Sequence, residues 1–160
     1  MTKFFLTIVV ASFLVGAIAT AQNQHSAVGT WKMDVAQSDF GSEPAPKDVT
    51  IVLSKDTPEM LSWRVNMVDE KGKASSYSWH GAPDGTMHPV MQNGKSISKQ
   101  SAKWQPDGAL LRHGEDPDGS SFDARSIKSE DGNSMTDEIT SKSKDGKETR
   151  QKFVFHRVKG

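Results

Sequence analysis

Three absences limit what this 160-residue chain can be. It has no cysteine, which excludes a disulfide scaffold and any zinc or iron–sulfur site with thiolate ligands. Its 20 lysines and arginines are balanced by 20 acidic residues, so no excess of positive charge is available to bind a nucleic-acid backbone. No second long apolar run follows the one at the N-terminus, so we predict a mature chain without a membrane span.

The N-terminal segment has the features of a secretory signal peptide. Lys3 provides a short positive region, residues 4–18 form an apolar run, and Ala19-Thr20-Ala21 has the small-x-small pattern of a cleavage site. The apolar run of about 15 residues is shorter than the roughly 20 that a membrane anchor needs. We therefore predict a signal peptide at residues 1–21, a mature chain that begins at Gln22, and export to the periplasm or the extracellular space.

Turn-forming dipeptides recur along the chain from residue 70 onward. Asp-Gly and Asn-Gly favour tight hairpin turns, because glycine and asparagine tolerate the positive φ angles that these turns need. A series at this spacing predicts consecutive antiparallel strands. The dipeptides are Lys71-Gly72, Asp84-Gly85, Asn93-Gly94, Asp107-Gly108, Asp118-Gly119, Asp131-Gly132 and Asp145-Gly146.

The segments between the turns alternate between apolar and polar residues. The clearest example is residues 61–67, where Leu61, Trp63, Val65 and Met67 share one face and polar residues occupy the other. One face is therefore buried and the other is solvated, which is typical of antiparallel sheets. No amphipathic helix of ten or more residues is recognisable. The pattern predicts about ten strands, near 28–33, 48–54, 60–68, 74–80, 87–91, 97–104, 109–113, 121–128, 134–141 and 148–158.

So many strands in one short chain would leave exposed edges if the sheet were open, and closure into a barrel removes those edges. We therefore predict an all-β fold, an antiparallel up-and-down meander of about 8–10 strands that closes into a barrel. A two-sheet β-sandwich is the alternative. Residues 22–160 form a single domain in this interpretation, and the Pro-rich segment 41–47 is a connection without strand character.

A short motif in the first strand resembles the Gly-x-Trp signature of the lipocalins. It is Gly29-Thr30-Trp31, and the longer pattern around it resembles a group of small secreted bacterial proteins described as lipocalin-like and mostly uncharacterised. The resemblance implies a lipocalin-like barrel in which Trp31 packs across the closed end. It also implies that a basic residue near the end of the last strand, here Arg157, covers the indole ring. A cation over an indole face is worth about 0.5–2 kcal/mol, which gives this pairing a physical basis.

The resemblance also implies an interior that holds a small hydrophobic or amphipathic ligand. Aromatic side chains with a few polar groups are the usual lining of such a site. The alternative is that these side chains fill the core, which would leave an envelope protein-interaction module without a ligand. The candidate ligand-binding residues are Leu61, Trp63, Val65, Met67, Tyr77, Trp79 and Trp104.

Nothing in the sequence predicts catalysis. There is no nucleophile motif and no phosphate-binding loop, and carboxylates such as Asp137 and Glu138 cannot be told from surface acids. His80 and His88 flank the turn at Asp84-Gly85 and could face each other across a hairpin, which is the basis of a weaker hypothesis of an acid–base or metal site. We expect a non-enzymatic protein with no cofactor and no metal.

Overall fold

Ten antiparallel strands run in sequence order around a closed barrel. The structure is a computed structural model that describes residues 26–159, so the predicted signal peptide at residues 1–21 lies outside the described residues. The strands are β1 (Gly29–Met33), β2 (Asp48–Asp56), β3 (Leu61–Val68), β4 (Ala74–Gly81), β5 (His88–Gln92), β6 (Lys95–Trp104), β7 (Leu110–Glu115), β8 (Ser121–Lys128), β9 (Ser134–Lys142) and β10 (Glu148–Arg157).

Pairing between the first and the last strand closes the barrel. Trp31 of β1 lies opposite Arg157 of β10 on one side and opposite Ile51 of β2 on the other. Every other strand pairs with its neighbours in the chain. The prediction of an all-β meander that closes into a barrel is therefore confirmed, each predicted strand matches the observed one to within two residues at both ends, and the β-sandwich alternative is wrong.

The predicted turns connect the strands, but only one of them is a two-residue hairpin. Asn93 and Gly94 have φ angles of 51° and 75°, the positive values that a tight primed turn between β5 and β6 requires. The other dipeptides lie in longer loops. In residues 116–120, for example, Gly119 N donates to Asp116 O at 3.0 Å and Asp116 N donates to Ser120 O at 2.9 Å. The glycine is still required in that loop, because its φ is 89°.

Alternation along the strands sends one set of side chains into the barrel. Trp31, Leu61 and Trp79 are the largest fully buried side chains, and a continuous apolar core surrounds them. The two ends of this interior differ, and we name each by one residue. The Trp31 end contains the start of β1 and the end of β10, while the Phe40 end lies under the connection between β1 and β2, residues 34–47.

No helix within residues 26–159 is long and apolar enough to cross a bilayer.

Candidate ligand-binding site

The Trp31 end is closed by an indole ring under a guanidinium group. The Trp31 side chain has no exposed surface, and its Nε1 donates to Ala27 O at 2.8 Å. The Arg157 guanidinium carbon lies 4.5 Å from the centroid of the ring. The same guanidinium donates to three backbone carbonyl oxygens, those of Val28 at 2.7 Å, Ser26 at 2.7 Å and Gly132 at 3.0 Å. Cation–π attraction and hydrogen bonding therefore hold the cover in place together.

Gly29 makes room for this cover. Its φ is 142°, and a Cβ at this position would lie 2.9 Å from Nη1 of Arg157. A larger residue would therefore displace the guanidinium as well as strain the backbone. This is a physical reason for glycine two residues before Trp31.

A small cavity of about 60 Å³ lies inside the Trp31 end. Asp56 and Lys128 lie beside it, with Nζ 3.8 Å from Asp56 Oδ2 and 5.6 Å from the centroid of the Trp104 ring. Burial lowers the pKa of Lys128, and the neighbouring Asp56 carboxylate opposes that change. Cavities that hold drug-sized ligands measure roughly 300–1,000 Å³, so this cavity is too small to be the main ligand site.

Two stacked tryptophans form one wall of the interior. The rings of Trp63 and Trp79 lie 4.3 Å apart at an interplanar angle of 22°, and Trp79 Nε1 donates to Gln100 O at 2.9 Å. The ring of His88 meets Trp79 edge-on, with centroids 5.8 Å apart. A Cβ on Gly81 would collide with that imidazole, so the absence of a side chain there lets His88 point inward. Trp79 is therefore held by Gln100 and His88, and through the stack it fixes the position of Trp63 in the wall of the small cavity.

A larger cavity of about 330 Å³ opens at the Phe40 end. The connection over residues 34–47 covers it and is anchored to β10. Asp39 and Lys152 exchange backbone hydrogen bonds of 2.7 and 2.9 Å, and Gln151 Nε2 donates to Phe40 O at 3.1 Å. The ring of Phe40 packs on Phe153, with centroids 5.4 Å apart. An aromatic cover therefore rests over a cavity of the size that small molecules occupy.

A buried ion pair lies between the two cavities and lines both of them. Arg112 Nη2 is 2.5 Å from Asp137 Oδ2, and the exposed fractions of the two side chains are 16% and 5%. Tyr77 lies nearby in the lining of the larger cavity. Burial is the main cause of its raised pKa, while Arg112 lowers that pKa and Asp137 raises it. The Tyr77 phenol is therefore neutral at ordinary pH and available for hydrogen bonding.

The ion pair has hydrogen-bonding capacity that the protein does not use. Arg112 Nε and Asp137 Oδ1 are both buried without a hydrogen-bond partner. A buried polar atom without a partner costs about 1–3 kcal/mol, and more when the group is charged. His88 Nε2 and Gln100 Nε2, beside Trp79, are also buried without a partner, but only Arg112 and Asp137 line the two cavities, where a bound molecule could supply the missing partners.

The seven predicted ligand-binding residues are divided between the two cavities. Leu61, Trp63, Val65 and Trp104 line the small cavity, Val65, Met67 and Tyr77 line the larger one, and Trp79 lines neither. Trp79 instead supports Trp63 from behind. Val65 lines both cavities, which places it at their junction.

The two histidines of the weaker hypothesis do not face each other. His80 lies opposite Ser62 and is exposed, whereas the side chain of His88 lies against Trp79 inside the barrel. They are on opposite faces of the sheet, so they cannot share a ligand or a proton. No group of three or more histidines and carboxylates within residues 26–159 is arranged to hold a metal ion.

Arg112 and Asp137 are the site residues that the sequence-based prediction missed. From the sequence alone, Asp137 and Glu138 cannot be distinguished from surface acids, and no motif points to Arg112. The same alternation of apolar and polar residues that predicts the strands also indicates that Asp137 points inward. Asp137 stands two residues from both Met135 and Ile139, and such spacing directs all three side chains to one face.

Comparisons with known proteins show a likeness of fold and no detectable relative by sequence. No protein-family model matches the chain, and no curated protein sequence matches it significantly. The chain is similar in fold to the fluorescent protein UnaG. A single-site mutant of UnaG superposes with a TM-score of 0.56 and 11% identity over 83% of this chain and 96% of that one. Wild-type UnaG superposes with a TM-score of 0.53 and 12% identity over 82% and 96%.

Proposed function

We propose that this chain is an exported, non-enzymatic, lipocalin-like barrel that binds a small hydrophobic or amphipathic ligand at the Phe40 end. The observation that carries the proposal is the cavity of about 330 Å³ with the Arg112–Asp137 pair at its inner limit. Apolar walls supply affinity by burial, and a few polar groups fix orientation, which is the usual composition of a small-molecule site. The likeness to UnaG supports the barrel scaffold, and the ligand class is argued from the residues of this chain alone.

Export is part of the proposal and depends on the sequence of residues 1–21. The arrangement of Lys3, the apolar run and the small residues before Gln22 supports it. The membership of a lipocalin-like family is likewise proposed. It is supported by Gly29 and Trp31 in β1 and by the contact of Arg157 with the indole ring.

Native mass spectrometry tests the proposal directly. The protein should be purified gently from the organism that encodes it, and we expect the mass of residues 22–160 plus a reproducible extra mass that is lost on denaturation. A mass that includes residues 1–21 would contradict export. A bare polypeptide mass would favour the alternative, a protein-interaction module with a filled core, and the search would then turn to protein partners.

Two matched variants locate the extra mass. Val65→Phe adds a ring at the junction of the two cavities, whereas Val52→Phe makes the same change on the outer face, where Val52 is 37% exposed. We expect Val65→Phe to lose the extra mass and Val52→Phe to keep it. Because overpacking a core costs about 1–3 kcal/mol, a thermal melt should confirm that Val65→Phe folds. Met67→Phe, nearer the Phe40 end, is the second inward variant. Retention of the ligand by both inward variants would show that the cavity is not the site.

A further inference from the structure

The Arg112–Asp137 pair distinguishes this interior from a simple apolar cavity or an anion site. One contact joins Nη2 to Oδ2, and the atoms left without partners are Nε of the same guanidinium and Oδ1 of the same carboxylate. Nε is joined to Nη2 through the guanidinium carbon, and Oδ1 is joined to Oδ2 through the carboxyl carbon, so both unpartnered atoms belong to the groups that form the contact. The pair therefore has one unused N–H donor and one unused carboxylate acceptor.

We propose that the ligand presents a neutral amide or lactam group to Arg112 and Asp137. This inference rests on the proposed function and names the chemistry that the site selects. A primary amide or a lactam carries on one edge a carbonyl oxygen that can accept from Nε and an N–H that can donate to Oδ1, so one planar group can satisfy both buried atoms. A carboxylate can satisfy only Nε, and an ammonium group can satisfy only Oδ1.

The charges around the larger cavity disfavour an anionic ligand. Its lining contains four carboxylates, those of Glu43, Asp69, Glu70 and Asp137, and the one guanidinium of Arg112. The charge of Arg112 is already matched by Asp137 at 2.5 Å, and Glu70 is paired with Lys71 at 3.7 Å. A bound carboxylate would place a like charge beside Asp137 in a buried site, where the repulsion is poorly screened.

Three compounds with the same ten-carbon chain and different head groups test this inference. They are decanamide, decanoate and decylamine, which are neutral, anionic and cationic near pH 7. Each is titrated against the mature protein loaded with Nile red, a neutral apolar dye whose fluorescence reports occupancy of the cavity. We expect decanamide to displace the dye at a concentration at least about tenfold lower than either charged compound.

Two variants change the preference in opposite directions. Asp137→Asn removes the negative charge and leaves Arg112 unmatched, so decanoate should improve at least about tenfold relative to decanamide. Arg112→Met leaves Asp137 unmatched, so decylamine should improve instead. If Arg112→Met does not fold, Asp137→Asn alone decides, because asparagine keeps a hydrogen-bonding oxygen toward Arg112.

The possible outcomes separate the two proposals. A protein that binds Nile red but prefers decanoate or decylamine, or from which none of the three compounds displaces the dye, overturns the amide assignment alone. A protein that binds neither the dye nor any of the compounds overturns the proposed function and the assignment with it. Preference for decanamide in the wild type, with a shift toward decanoate in Asp137→Asn, supports both.

Discussion

Two clusters of buried polar groups, the Trp31–Arg157 closure and the Arg112–Asp137 pair, differ in how completely they are hydrogen-bonded. At the Trp31 end, the indole N–H reaches Ala27 O, and Arg157 meets three carbonyl oxygens while it covers the ring. Toward the Phe40 end, Arg112 and Asp137 share one contact and leave two buried atoms unsatisfied beside a cavity of about 330 Å³. The first arrangement is complete within the protein, and the second lacks partners. The difference indicates that the Trp31–Arg157 closure stabilises the fold, and it supports the proposal that the interior around Arg112 and Asp137 binds a ligand.

The largest expected loss of stability comes from a substitution at the Trp31 end. Trp31→Ala should lower the free energy of unfolding by about 3–5 kcal/mol, because it truncates a fully buried aromatic side chain and leaves the Arg157 cover without a ring. Urea denaturation followed by circular dichroism measures the loss. Trp104→Ala is the matched control and should cost less, since Trp104 is only partly buried. A loss for Trp31→Ala within about 0.5 kcal/mol, as surface substitutions give, would contradict its role.

A second prediction concerns the Arg112–Asp137 pair, where a single and a double substitution should change the free energy of unfolding differently. Asp137→Leu alone strands a buried guanidinium and should cost about 3–5 kcal/mol, as breaking a buried ion pair does. The double variant Arg112→Met with Asp137→Leu removes both charges and both unsatisfied atoms. We expect it to be as stable as the wild type or more stable by up to about 4 kcal/mol, while it loses ligand binding.

Equilibrium unfolding of the wild type, the single variant and the double variant in one denaturant series makes this test. A double variant that is less stable than the wild type would show that the pair stabilises the barrel by itself. The comparison between the two clusters would then fail, because both clusters would be structural.

The sequence predicted the fold well because the fold depends on local, periodic information. The alternation of Leu61, Trp63 and Val65 and the recurrent glycines of the turns each report on their own strand or loop, and closure follows from avoiding exposed edges. The pairing of Trp31 with Arg157 was available only through a resemblance, since these residues meet across 126 positions of sequence.

The cavities depend on information that no single strand contains. Trp63 and Trp79 were both predicted to line the ligand site, yet stacking at 4.3 Å leaves Trp79 behind Trp63. Arg112 of β7 and Asp137 of β9 meet over the inner face of β8, the strand that separates them in the sheet. Their residue types are typical of surfaces, and only the phase of the alternation indicates that they point inward.

The smallest expected effect concerns an ion pair on the outer face of β7, which can be compared with the Arg112–Asp137 pair on the inner face of the same strand. His113 follows Arg112 on β7 but faces outward, with Nδ1 2.8 Å from Asp123 Oδ1 and Nε2 3.5 Å from Glu115 Oε1. The hydrogen bond to Asp123 is the main cause of the raised pKa of His113, whose ordinary value is 6.5. The protonated form is therefore favoured by folding. The resulting stability is fully present below the unfolded pKa of 6.5 and is lost as the pH rises through the higher folded pKa.

Asp123→Asn should return the pKa of His113 toward 6.5, which an NMR titration of its imidazole protons measures. Because the imidazole is 41% exposed, solvent screens the pair, and the loss of stability should stay below about 1 kcal/mol. That loss should be measurable in acid, at about pH 5.5, and absent at about pH 8.5, where the imidazole is neutral in both states. An unchanged pKa would show that the carboxylate does not hold the proton. A small loss of stability confined to acid pH on the outer face, together with a large loss when the buried Arg112–Asp137 pair is broken, would show that burial determines how strongly each pair affects the free energy of unfolding.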